Sequence, residues 1–158
     1  LKTSILLGFS LELGAILAGA PEKDRKALKE FGTNIGIGFQ LKDDLLDAYA
    51  DPGKFGKQVG GDILANKKTY LLIKALERAS GKTAKELNRW INASRFRKKE
   101  KVEAVRQIYD DLNIMSLTEK KIAHYFKKGF RKLDQVSANP EATEVLRNFT
   151  HNLIQRQS

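Results

Sequence analysis

Asp43, Asp44 and Asp47 crowd into five residues, and Lys57, Asp62 and Lys67 follow shortly after. Carboxylates are hard oxygen ligands. Mg²⁺ takes one or two of them and keeps several waters. Lysines supply point charges to phosphate oxygens. Acids and lysines together therefore point to a metal-bridged diphosphate or a related polyanion. On a helix, Asp43 and Asp47 lie one turn apart and share a face, with Asp44 about 100° round. Gly56, Gly60 and Gly61 flank this stretch and let backbone approach a ligand closely. The bland alternative is an acidic helix end before a polar loop of solvated lysines. Against it stands the helix dipole, which disfavours acids at a C-terminal end and so calls for a compensating cation.

The elements that must position these residues read as helices. Leu, Lys, Ala and Glu dominate the 158 residues, and only three prolines occur. Hydrophobic content of 41% excludes a disordered chain and supports one all-α body without repeats or linkers. No cysteine is present, which excludes disulfides, thiol nucleophiles and thiolate metal sites and fits a reducing cytoplasm. The net charge of +10 favours polyanionic ligands: nucleic acid, anionic headgroups or diphosphates. The apolar opening carries no initiating Met, contains Glu12 and runs straight into a further helix, so it is not read as a signal peptide. The run from Leu13 to Ala20 is too short to span a membrane. A chain opening inside an apolar helical pattern is expected to be part of a longer one.

Six or seven helices are expected. Residues 3–17 are apolar with Gly8, Gly14 and Ala15 interspersed, a buried helix packed closely on its neighbours. Residues 22–49 begin charged behind Pro21 and turn apolar, and Gly32, Gly36 and Gly38 imply close backbone approach or a kink. Asp51-Pro52-Gly53 should stop that helix, and a loop over 54–61 follows. Another helix is expected over about 62–79. Thr83 to Glu86 and Ser116 to Glu119 fit capping boxes and place two helix starts. A helix over 98–112, one spacing Ile122, Phe126, Phe130, Leu133 and Val136 along a face, and a last one from Asn139-Pro140 to about Gln155 complete the pattern. His124 and His151 lack metal-ligand spacing, and Trp90 reads as packing.

One stretch carries a resemblance. Phe39-Gln40, the aspartates at 43, 44 and 47, Ala50-Asp51-Pro52, Phe55-Gly56-Lys57, Gly61-Asp62 and Asn66-Lys67 follow, in order and spacing, the second aspartate-rich region of the trans-isoprenyl diphosphate synthases. That family, the polyprenyl synthetases, includes the geranyl, farnesyl and geranylgeranyl diphosphate synthases. Lys2-Thr3, well upstream and opening a small-residue helix, resembles the family's Lys-Thr pair. The resemblance is good from residue 2 to roughly 79 and extends to the later helices by layout alone.

The resemblance implies an isoprenoid-synthase helical bundle and a Mg²⁺-dependent prenyltransferase that joins an allylic diphosphate to isopentenyl diphosphate. It implies that Asp43 binds Mg²⁺ directly and that Asp44 and Asp47 act mainly through water. Lys2, Lys57 and Lys67 would contact the diphosphate. Thr3 and Gln40 would face the developing allylic cation. A cytoplasmic homodimer with no nucleic-acid partner is the corresponding expectation. The family's first aspartate-rich motif and its isopentenyl diphosphate site match nothing here. Residues 1–158 are therefore expected to form one all-α portion from the C-terminal half of a synthase, inactive alone. A terpene cyclase or a non-catalytic synthase subunit of the same fold remains open. A basic nucleic-acid-binding protein would explain the charge but not the aspartates.

Overall fold

The computed structural model of the protein describes residues 2–50 and 59–155; among them it has eight helices and no strand. In chain order these are α1 (Lys2–Leu17), α2 (Glu22–Tyr49), α3 (Gly61–Leu64), α4 (Tyr70–Arg78), α5 (Gly81–Asn92), α6 (Lys98–Asp111), α7 (Ile114–Leu133) and α8 (Pro140–Gln155). The all-α class is as expected. The count of six or seven is not, because the helix expected over 62–79 is two helices. Asn66 adopts a left-handed φ of 48°, which ends the first. Thr69 then caps the second, its Oγ1 accepting the Leu72 N–H at 3.2 Å. The expected stop at Asp51-Pro52-Gly53 and most of the following loop lie outside the described residues.

Two expected starts fall earlier in the chain than the capping boxes place them. α5 begins at Gly81 and α7 at Ile114, so Thr83 and Ser116 sit inside helices rather than capping them. Asn113, with φ 55°, already turns the chain out of α6, and α7 begins directly after it. By contrast α2 and α8 keep their expected bounds. The Pro21 carbonyl accepts the Asp24 and Arg25 amides at 3.0 and 3.1 Å, and Asn139 Oδ1 caps the Glu141 amide at 3.0 Å.

Two compact units make up the chain. The boundary falls inside α2, between Gln40 and Leu41, and inside α7, between Glu119 and Lys120. The first unit comprises α1, most of α2, most of α7 and α8. Its core is Phe31 and Ile35 of α2 against Phe126 and Leu133 of α7, with Leu146 and Leu153 of α8 alongside. Small residues join α1 to α2. A Cβ on Gly36 would fall 2.5 Å from Ser4 Cα, and one on Gly32 would fall 2.9 Å from the Leu7 carbonyl. The expectation of close approach is met. The expectation that α1 is buried is not: Ser4, Gly8 and Ala15 are buried, while Leu6 is 65% and Leu17 80% exposed. α1 is apolar all round: its small-residue stripe packs on α2, Leu7 and Leu11 reach the core, and its other large side chains stay outside.

The second unit comprises the end of α2, α3 to α6 and the start of α7. Ala48, Ile63, Leu71, Ala75, Leu87, Val105, Ile108, Tyr109 and Ile114 form its core. Trp90 packs against that core, as expected, with its indole N–H buried and without a partner among the described residues. No helix among the described residues is long and apolar enough to cross a membrane.

Candidate functional site

The acidic end of α2 belongs to the second unit, and its three carboxylates have three different environments. Asp43 is exposed and forms no hydrogen bond or ion pair among the described residues. Asp44 is buried, at 8% exposure, and its Oδ1 accepts from Lys67 Nζ at 3.2 Å. Asp47 is half-buried and caps α3 from across the chain. Its Oδ2 accepts the Asp62 N–H at 2.8 Å, and its carbonyl accepts the Gly60 N–H at 2.6 Å. Gly60 sits at φ +86°, a conformation that L side chains rarely adopt, so a glycine is suited to the turn into α3.

Lys67 answers the dipole problem raised by the sequence. Its Nζ bridges Asp44 and Asp62 Oδ2, the latter at 2.7 Å. The Asp62 bond foremost, with Asp44 adding, holds the Lys67 amine above the ordinary lysine range against the opposing effect of desolvation. Burial pushes the Asp47 carboxyl up, and the hydrogen bond from the Asp62 amide partly offsets it. Two of the three aspartates therefore already have a cationic or N–H partner. Asp43 has neither among the described residues.

Can these donors hold a metal? Among the described residues no three acidic or histidine side chains converge into a closed cage. An exposed Asp43 with Asp47 one turn on suits Mg²⁺ that keeps its waters and shares phosphate oxygens.

The other expected site residues fall elsewhere. Lys2 and Thr3 are exposed at the start of α1, and Gln40 is half-buried on α2. In the first unit, Thr3, Leu6, Leu7, Gly36, Phe39 and Phe149 line most of an apolar cavity of about 350 Å³. Thr3 therefore places a hydroxyl at the edge of an oily space, with Phe39, the neighbour of Gln40, on its wall. Lys57 lies outside the described residues.

Sequence reasoning missed two side chains near the acids. Tyr49 Oη donates to Asp110 at 2.7 Å, tying the last turn of α2 to α6. Burial and that bond push the phenol well above its ordinary value. Lys101 drew no notice in the sequence, yet it is buried and donates to Asn66 Oδ1 at 2.8 Å. The signal was available: Lys101 precedes Val105 by four residues and Ile108 by seven, so it shares their face.

An all-α fold whose longest described helix ends in three aspartates, faced by a lysine at the next helix junction, defines a class before it defines a protein. Polyprenyl synthetase is the family whose model matches, over residues 1–112. The chain belongs to the polyprenyl synthetase family. It is 35% identical to the geranylgeranyl diphosphate synthase of Sulfolobus acidocaldarius over 94% of its length and 46% of that protein. It is 49% identical to the farnesyl diphosphate synthase of Bacillus subtilis over 51% of its length and 27% of that protein. A crystal structure of a geranylgeranyl pyrophosphate synthase from Corynebacterium glutamicum complexed with isoprenyl diphosphate and magnesium superposes with a TM-score of 0.83 and 31% identity, over 95% of this chain and 42% of that one. The chain thus spans less than half the length of these relatives.

Proposed function

We infer that the protein containing this chain is a trans-prenyltransferase that joins an allylic diphosphate to isopentenyl diphosphate and yields a short-chain isoprenyl diphosphate, in the range from geranyl to geranylgeranyl. The observation that carries this reading is the acidic end of α2, with Asp43 open beside Asp44 and Asp47 and with Lys67 poised at 3.2 Å from Asp44. Membership of the family and the relative solved with isoprenyl diphosphate and magnesium support it.

In this reading Asp43, Asp44 and Asp47 would hold Mg²⁺, which when bound would offset the negative charge of the diphosphate. Lys2, Lys57 and Lys67 bind the diphosphate oxygens and stabilise the charge that builds as the allylic C–O bond breaks. That bond's electron pair leaves with diphosphate. The Thr3 hydroxyl and the Gln40 amide oxygen face the allylic carbon as it becomes cationic. The isopentenyl double bond then forms the new C–C bond, and a proton passes to the departing diphosphate.

The test uses the full-length protein with labelled isopentenyl diphosphate, each allylic primer in turn, and Mg²⁺ with and without EDTA. A Mg²⁺-dependent prenyl product establishes the activity, and its chain length gives the subclass. No product with any primer from folded protein would overturn the reading and favour a cyclase or a non-catalytic subunit.

A further inference from the structure

Lys101 is a buried ammonium that the reading above does not use. It is 1% exposed on α6, on the face of Val105 and Ile108. Its Nζ donates to Asn66 Oδ1 at 2.8 Å and lies 4.3 Å from the centre of the Phe96 ring. Among the described residues it has no ion pair. Burying a charge without an opposite charge is costly, so its few partners matter more than usual.

The principal partner is Asn66. Asn66 Nδ2 also donates to the Ile91 carbonyl near the end of α5, at 2.9 Å. Its side chain is thus clamped between α5 and α6. Its backbone is the left-handed residue between α3 and α4, at φ 48°. Lys67 comes next, and its N–H returns to the Asp62 carbonyl at 2.9 Å. The conformation of Asn66 therefore decides where the Lys67 side chain starts.

We propose that Lys101 is a positioning residue: through Asn66 it fixes the left-handed turn that holds Lys67 Nζ between Asp44 and Asp62. Where Lys67 binds diphosphate, as inferred above, Lys101 presets that amine without touching the ligand. Only the presetting of that amine for diphosphate rests on the proposed function.

Two variants of the full-length protein test this. Lys101→Met keeps the length and burial of the side chain and removes the donor. Asn66→Gly keeps the left-handed backbone without strain and removes both side-chain bonds; it decides the matter if Lys101→Met does not fold. Competitive acylation of the lysines, read by mass spectrometry, should show Lys67 reacting about three- to fivefold faster in either variant as its ion pairs loosen. The surface residues Lys23 and Lys85 should keep their rates. Unchanged labelling of Lys67, or a rise shared by Lys23 and Lys85, would overturn the positioning role.

Calorimetry with inorganic pyrophosphate and Mg²⁺ then reads the route through Lys67. Lys101→Met should weaken binding about fivefold in the parent and less than about twofold in a Lys67→Ala background. Equal losses in both backgrounds would refute that route. Should Lys67→Ala alone leave pyrophosphate affinity unchanged, the assignment of Lys67 to diphosphate falls, while the labelling still decides whether Lys101 positions it.

Discussion

α1 and α6 sort their side chains in opposite ways. α1 is apolar almost throughout, yet it buries Ser4, Gly8 and Ala15 and leaves Ile5, Leu6, Phe9 and Leu17 outside. α6 is rich in charge, yet it buries Lys101 beside Val105 and Ile108. In α1 the small residues are inside because α2 offers Gly32 and Gly36, and backbones that approach so closely leave no room for a large side chain. In α6 a lysine is inside because an amide oxygen waits for it at 2.8 Å. Residue type alone decides neither case. The partner across the contact decides both, through close packing in one and polar satisfaction in the other.

That contrast can be broken at graded cost. Truncating the first unit's core should hurt most. Phe126→Ala should lower stability by about 3–5 kcal/mol in denaturant unfolding, because the ring is buried against the α2 core. Gly36→Val should come next, at about 1–3 kcal/mol, since its side chain meets the Ser4 backbone. Leu17→Gln is the matching control on the same pair of helices. With Leu17 80% exposed, its effect on unfolding should stay within about 0.5 kcal/mol.

The charged region should yield smaller effects. Asp47→Ala removes the cap on α3 and should cost about 1 kcal/mol, read as a lower unfolding midpoint. Lys67→Ala should cost less, about 0.5 kcal/mol, because Lys67 is half-exposed in its ion pairs. Its pH dependence sharpens the point. The folded-state amine is raised above the ordinary value of 10.5, so the contribution is complete below that pH and is lost as pH climbs above it. Parent and variant should therefore differ by a constant amount from neutrality to about pH 10 and converge at higher pH.

Much of this was legible beforehand, for identifiable reasons. The span of α2 could be read because its charged start, apolar stripe and acidic end all agree, and agreement across levels marks a well-specified element. That α1 and α2 each approach a neighbour closely was readable from their glycines; that they approach each other was not. What escaped was set by tertiary partners. Asn66 breaks the helix expected over 62–79 because its side chain bridges Ile91 and Lys101, contacts 25 and 35 residues away. The exposure of α1 escaped because apolar composition says how a helix could pack, not how much of it does. Among the site residues, the sequence grouped Asp43, Asp44 and Asp47 as one acidic set. The structure separates an open Asp43 from a lysine-paired Asp44 and a cap-forming Asp47.

That separation makes Asp43 the residue on which the account turns, since Asp43→Ala removes a carboxylate that forms no hydrogen bond or ion pair among the described residues. The decisive measurement is the Mg²⁺-dependent condensation rate of the full-length Asp43→Ala protein beside its thermal unfolding. The account predicts a rate lower by at least about a hundredfold with an unchanged unfolding midpoint, as expected for loss of charge stabilisation in the transition state. Near-normal condensation by that variant would contradict it.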